Sequence, residues 1–476
     1  MSTELFDKLI FAWWWLPDDP DNMVPGYVKF ESGKSVEVHV LGFFKSIENP
    51  NPKEQIPVIY GRGTSRDLYT LSDVDISHQV DPHYGHFREV YLHSSCVFIG
   101  AHVPTPIPAI SEIVFTPSGL KEWAGSDKGI RFDRDKESSV WKAQISNGEW
   151  RDSLVSDLEG GVRLSVDFFH MPSFSFEKAL PVEHSCRCHI AFAKTASLEE
   201  CFEKMKIFCD FLSFATRVMS GFESYSARIA MDDELNDESN WVKVVGLNSA
   251  LEDSSEKRSY APRGRNYFNI RDIESQFDST MSLWFTGASK FDSAYHLYFA
   301  IASRTKSTYL EHEFFTYVQI LEGFCGKNGQ KGRFMTAQKE YRKMVDDVVY
   351  PFLRTVVDEN LALAMRGQLY MANSLTLREH LTKLLDARRD EFIQKWIPGS
   401  DVALWISKVV SARSDYAHVL DHPDSKIMFG DRDFTDTVLA LRLLVEAQLL
   451  EMIGFSQIKT DEILNHTFKV ESSIAT

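Results

Sequence analysis

Over residues 1–195 apolar and polar positions alternate in short runs punctuated by Gly and Pro. A period of two is the mark of a strand with one face buried. The stretch PGYVKFESGKSVEVHVLGFF (25–44) holds two such runs around Ser32-Gly33-Lys34, a hairpin signal. Further strands are predicted at 90–103, 111–120, 161–169 and 186–193. The period then changes. In 198–217, Cys201, Met205, Phe208, Leu212 and Ala215 recur at steps of four, three, four and three, one stripe along a helix. Short strand-like runs follow at 226–231, 241–247 and 266–273, the last two separated by a polar loop at 248–265.

From about 280 onward the helical period dominates. Helices are predicted at 291–303, 308–325, 336–353, 376–386, 400–420 and 434–455. Thr308 with Glu311, and Thr376 with Glu379, have capping-box spacing: the hydroxyl takes an orphan N–H and the carboxylate reaches back to the cap. Pro398-Gly399 stops one element and Ser400 can cap the next. The 434–455 segment is apolar on nearly every side, which places it at the centre of a bundle or against a partner. The expected fold is therefore α+β and multidomain. A β-rich antiparallel region (1–195) leads to a helix with short strands (196–280) that completes or links it. A bundle of five or six helices (285–460) and a C-terminal tail (461–476) follow.

Composition narrows the function. With a formal charge of -16 over 476 residues, the chain as a whole repels nucleic acid, so a polyanion needs a local basic patch. One exists at 327–343, where Lys327, Lys331, Arg333, Lys339, Arg342 and Lys343 face Glu340 alone, a balance of +5. Six cysteines spread over this length make no disulfide framework and point to a reducing cytoplasm. The first residues lack the basic start of a signal peptide, and no apolar run approaches the ~20 residues that span a membrane.

Most motifs read as structure. His78, Asp81, His83, His86 and His93 match no standard zinc spacing, and Cys186 and Cys188 share one strand face as core residues beside His184 and His189. The glycine-rich YGRGT (60–64) lacks the lysine of a phosphate loop and reads as a turn. Trp13, Trp14 and Trp15 alternate between a buried and an exposed face.

SARSDYAHVLDHP (411–423) is different. Val402, Trp405, Val409, Ala412, Tyr416 and Val419 form the stripe of its helix, and Arg413 sits at the stripe's edge. On an ideal helix His418 falls about 140° from Arg413, so either the helix deforms or a second protomer completes the pair. Arginine and histidine suit RNA cleavage without a metal. The 2′-OH attacks the adjacent phosphate, a planar guanidinium can hold two of its oxygens, and an imidazole moves protons near neutral pH. No compact Asp/Glu cluster for magnesium stands out in the sequence.

An Arg-x4–6-His motif near the end of a helix in an all-helical C-terminal bundle resembles the HEPN ribonuclease superfamily. The opening WWWLPDDPDNMVPGYVKFESG (13–33) and PVIYGRGTSRDLYTL (57–71) resemble the N-terminal region of ApeA-type abortive-infection proteins, which pair it with a C-terminal HEPN domain. The resemblance implies a homodimer or higher oligomer through the HEPN bundle, metal-free cleavage of cellular RNA with tRNA as one plausible target, and a phage-derived trigger. It implies Arg413 as phosphate holder and His418 as general acid/base. Ser414 stands where many members carry Asn, Asp or His, with Asp415 next, so either could fill the supporting polar role. Glu322 matches an acidic position in an early helix of such bundles, where it could orient Arg413. Two other readings remain: a catalytically silent HEPN-fold regulator, and an adaptor whose β-rich part binds a protein.

Overall fold

The computed structural model describes residues 9–30, 36–42, 44, 55–80, 89–104, 108–124, 130–134, 141–145, 153–172, 182–222, 225–230, 241–246, 266–303, 309–327, 338–399, 401–418 and 431–474. The chain divides into two compact units, Met1–Ser282 and Leu283–Thr476. The first is β-rich and the second helical.

The first unit begins with β1 (Leu9–Leu16), β2 (Asp19–Lys29), β3 (Val36–Leu41), β4 (Ile56–Gly63), β5 (Leu68–Val80) and β6 (Glu89–Ile99). All pairings are antiparallel, and the order β1-β2-β3-β6-β5-β4 returns to β1, so these six strands close a barrel. The alternation dictates the inside: Val36, Val38 and Val40 of β3 are buried with Val24 and Val28 of β2 and Trp14 of β1. Closure pairs strands that an open sheet would leave exposed at its edges. Glycine makes room for the largest core residue. A methyl at Gly61 would overlap the indole of Trp14, and one at Gly26 would overlap the carbonyl of His39.

β6 outgrows the barrel. Its residues 89–94 pair with β3 and 96–99 with β14, which starts a second sheet ordered β14-β13-β7-β12-β11-β10. That sheet contains β7 (Ile110–Phe115), β10 (Leu154–Leu158), β11 (Val162–Pro172), β12 (Val182–Ala196), β13 (Tyr225–Ile229) and β14 (Trp241–Gly246); β8 (Ile130–Arg134) and β9 (Trp141–Ile145) pair only with each other. Helices α1 (Leu120–Ala124) and α2 (Leu198–Thr216) accompany it. Ser197 caps α2, accepting from the Glu200 N–H at 3.2 Å while the Glu200 carboxylate accepts from the Ser197 N–H at 2.7 Å. The predicted stripe of α2 is buried at all five positions. Helices α3 (Ile270–Ile273) and α4 (Phe277–Lys290) carry the chain into the second unit. At the outer strand β10, the Asp157 N–H donates to the Asp278 carboxylate at 3.1 Å, so a side chain covers a backbone donor that another strand would use.

Three sequence expectations are corrected here. Residues 266–273 are not a strand: Asn269 and Asp272 make a capping box and start α3, while Tyr267, Phe268, Ile270 and Ile273 are buried in a non-alternating order. Tyr60–Gly63 is not a turn but the end of β4; the turn follows, where Arg66 takes a positive φ of 72°. The segment 111–120 is a strand only to Phe115, and Leu120 opens α1. The 248–265 loop lies outside the described residues.

The second unit continues with α5 (Asp292–Ala302), α6 (Leu310–Lys327), α7 (Gln338–Met344), a π-helical turn (Val345–Val349), α8 (Tyr350–Val356), α9 (Glu359–Ala372), α10 (Leu377–Asp386), α11 (Asp390–Trp396), α12 (Val402–His418), α13 (Asp431–Met452) and α14 (Gln457–Ile474). α13 is the central helix: Leu441, Leu443, Leu444, Val445, Ala447, Leu449 and Leu450 are fully buried, as its all-round apolar pattern requires. The Thr376–Glu379 capping box forms; Thr308 and Ser400 lie outside the described residues. Helices α4, α9, α11 and α14 are additional to those predicted, and the expected tail at 461–476 is largely α14, with Asp461, Ile463, Leu464 and Thr467 buried.

Candidate active site

The motif helix α12 is fixed on several sides. Its stripe residues Trp405, Val409 and Ala412 are buried, and the Trp405 indole N–H donates to Thr437 Oγ1 of α13 at 3.3 Å. From α10, an Arg378 guanidinium N–H donates to Ser407 Oγ at 2.9 Å. Nearer its C-terminal end, Arg413 meets Glu322 of α6, with Nη2 at 3.5 Å from Oε1. Three neighbouring helices therefore set the register of α12 before any ligand binds.

The Arg413–Glu322 pair is neither buried nor free in water: 38% of one side chain and 33% of the other is exposed. An ion pair of that exposure adds little to stability. It does limit the orientations open to the guanidinium, while leaving N–H groups that an incoming anion can reach. α12 remains helical through His418, its last residue. Positions 413 and 418 thus stay about 140° apart around the axis. Ser414 is exposed, and the side chains of Asp415 and His418 lie outside the described residues.

The predicted basic stretch is partly visible. Lys331 and Arg333, and the side chain of Lys327, lie outside the described residues, whereas Lys339, Arg342 and Lys343 are exposed on α7. The Arg342 guanidinium lies 5.6 Å from the centre of the Tyr370 ring. Tyr370 and Arg366 of α9 both bond Asp346 in the π-helical turn, Arg366 Nε at 2.7 Å, and this holds the Asp346 carboxyl below its usual range. Among the described residues no three His, Cys, Asp or Glu side chains gather as a metal group. Asp81, His83 and His86 lie outside them, while Cys186 and Cys188 are buried with their thiols pushed up by desolvation.

Sequence reasoning missed a set of buried charges. Glu446 of α13 is fully buried; it accepts from the Tyr298 hydroxyl at 3.1 Å and from Arg442 Nε at 2.8 Å. Burial pushes the nearby Tyr317 phenol up. Arg388 bonds Glu451 and lies 3.7 Å from Asp461, whose carboxyl burial raises against the pull of Arg388. A signal for the first set was present, since Arg442 and Glu446 are spaced i,i+4 inside an otherwise apolar helix. No helix among the described residues is long and apolar enough to cross a membrane.

Comparison with known families joins the two units. Residues 315–459 match the ApeA-like HEPN family, a span that holds Glu322, Arg413 and His418. No curated protein and no solved structure matches the chain. Residues 10–284 match ApeA N-terminal domain 1, over half of the sequence, and the chain belongs to the ApeA family, with a β-rich N-terminal unit and a C-terminal HEPN domain.

Proposed function

We propose that the helical unit is a metal-independent endoribonuclease acting in anti-phage abortive infection, with the β-rich unit as its regulator. The observation that carries this reading is Arg413 on a triply anchored helix, 3.5 Å from Glu322 and partly exposed. Arg413 would hold the non-bridging oxygens of the scissile phosphate as negative charge grows there. His418 would accept the 2′-OH proton in one copy. The partner's His418 would donate a proton to the departing 5′-oxygen, leaving a 2′,3′-cyclic phosphate. Two copies are invoked because positions 413 and 418 lie on different sides of an unbroken helix, and one histidine cannot be base and acid at once. Lys327, Lys331 and Arg333, with Lys339, Arg342 and Lys343, would add phosphate contacts that give affinity without sequence choice. Transfer RNA is one plausible substrate, a phage-derived molecule the expected trigger, and the cytoplasm the expected compartment. The ApeA and HEPN matches support the defence theme.

The test is cleavage of bacterial RNA in excess EDTA by wild type, Arg413→Ala and His418→Ala. Wild type alone should cut and leave 2′,3′-cyclic phosphate ends, while the variants lose roughly a thousandfold or more in rate. A variant that cuts like wild type sinks this site. The exposed Ser414, standing where the family's supporting polar residue is expected, favours a second reading, a silent HEPN regulator. Wild type inert even in extract from infected cells would decide for it.

A further inference from the structure

The outer face of the barrel carries a row of rings that its core does not use. Antiparallel register sets Phe11 of β1 opposite Tyr27 of β2, Tyr27 opposite His39 of β3, His39 opposite Tyr91 of β6, and Tyr91 opposite His78 of β5. Residues in register share one face, so these side chains line up across neighbouring strands. Phe11 meets Tyr27 edge-on at 6.1 Å, Tyr27 meets His39 edge-on at 5.0 Å, His39 stacks on Tyr91 at 4.3 Å, and His78 lies 6.0 Å from Tyr91. None of these rings belongs to the barrel's apolar core. Leu9 and Trp13 flank Phe11 on the same face of β1, and Leu41 stands two residues from His39 on β3. Phe11 is 58% exposed, Leu9 and Trp13 51%, and Leu41 42%. Neighbouring strands lie about 4.8 Å apart, so the row runs roughly 20 Å, the length of about six extended residues.

Carboxylates border the row. Among the described residues, the outward positions of the six barrel strands carry Asp19, Asp21, Glu37, Asp73, Asp75 and Glu89 against Lys29 and Arg62. Glu89 touches the row itself: its Oε2 accepts from the Tyr91 hydroxyl at 3.4 Å and lies 3.2 Å from His39 Nε2. Both contacts use one oxygen of a side chain that is 38% exposed, so the other oxygen can take a further donor. We propose that this row is a docking strip for an extended protein segment that presents arginine. Three features select that partner. A guanidinium is planar, stacks on ring faces and forks a carboxylate, so one arginine can use Tyr91 and Glu89 together. The excess of carboxylates attracts a cationic segment and repels a polyanion such as RNA. The outside of a closed barrel is convex, which suits a chain laid across it rather than an enclosed small molecule. The inference concerns the barrel alone and holds whether or not the helical unit cuts RNA.

The experiment is fluorescence anisotropy on the full chain at physiological salt. The probe is a short labelled Arg-Gly repeat peptide, and a Lys-Gly repeat of equal length and charge is its comparison. Wild type should hold the arginine peptide roughly tenfold more tightly or better, because an ammonium is a point charge that neither stacks as a plane nor forks. Tyr91→Ala should weaken the arginine peptide by roughly tenfold or more, as the loss of an aromatic anchor does. Phe11→Ala and Glu89→Gln should each weaken it severalfold. Their melting curves should match wild type, since both side chains lie outside the core, so weaker binding in them is not loss of the fold. Glu203→Gln removes an exposed carboxylate on α2, outside the barrel, and should leave binding unchanged. No binding by wild type, equal affinity for the two peptides, or an equal loss in Glu203→Gln overturns the proposal. Tighter binding of a uridine oligonucleotide or a glucose oligosaccharide, abolished by Tyr91→Ala, overturns it as well and assigns the row to that class of ligand.

Discussion

The barrel and the helical arm formed by α8 and α9 treat apolar side chains in opposite ways. The barrel turns its sheet on itself until the first strand finds the fourth, and Trp14, Val28, Val38, Ile59 and Leu71 disappear from water. Leu9, Phe11 and Trp13 remain outside, but on a strand whose backbone is paired along both edges by β2 and β4. The arm has apolar content as well, yet α8 buries none of it. A closed sheet satisfies itself; a protruding hairpin of short helices does not, since helices of this length draw their stability from an apolar face packed against something. The difference separates apolar residues that keep the chain folded from apolar residues that bury nothing of their own.

The contrast breaks most sharply at the triplet of tryptophans. Trp14→Ala should cost about 4 kcal/mol, for it empties the space between Gly61 and Gly26 in a closed core that cannot collapse to fill it. Trp13→Ala, one residue away on the outer face, should stay within about 0.5 kcal/mol. Urea melts of the two variants measure this directly. Equal losses would mean that the alternation of β1 is not the barrel's inside and outside.

Buried charge in the helical unit offers the next test. Arg388→Met should cost about 3 kcal/mol, because it leaves Glu451 and Asp461 facing each other without their cation. The pH dependence has a definite sign. Burial raises the Asp461 carboxyl in the folded state, so the folded chain keeps a proton there that the unfolded chain has already lost. Its contribution to stability therefore falls as pH rises from the ordinary aspartate range through the raised value. Asp461→Asn should flatten that part of the melting-temperature profile. A profile identical to wild type would mean that Arg388 already compensates the buried carboxylate in full.

How far the sequence could be read follows the same division. Strict alternation gave the strands, because in a strand the face of a residue is its parity; Val36, Val38 and Val40 needed no partner's position to be placed inside. It could not give closure. That β4 pairs with β1 depends on a contact between residues about fifty apart, and the glycines that permit it look like a turn in YGRGT. α9 escaped notice because its apolar residues, Leu361, Leu363 and Met365, point to no core, and periodicity detects only helices that face one. Residues 266–273 read as a short strand-like run and form none, since the cap chemistry of Asn269 and Asp272 decides locally. Arg413 was legible as chemistry, and Glu322 as a position in a bundle, but their 3.5 Å approach belongs to the packing of α6 against α12.

A small stability effect is expected at the Arg413–Glu322 pair. Glu322→Gln removes one charge of a pair about one third exposed, so its cost in stability should stay under about 1 kcal/mol. If Glu322 positions the guanidinium, RNA cleavage should nevertheless fall roughly tenfold or more, since small displacements of a catalytic group are expensive. The loss should be in kcat rather than KM, for Arg413 keeps its charge and still attracts phosphate but no longer meets it in the orientation that the transition state needs. Glu322→Asp retains the charge on a shorter stem and should recover part of the rate. A residue with only a structural role would behave in the reverse way: melting temperature and activity would fall together, and Asp would rescue neither. Unchanged kcat in Glu322→Gln would leave the ion pair as a packing detail.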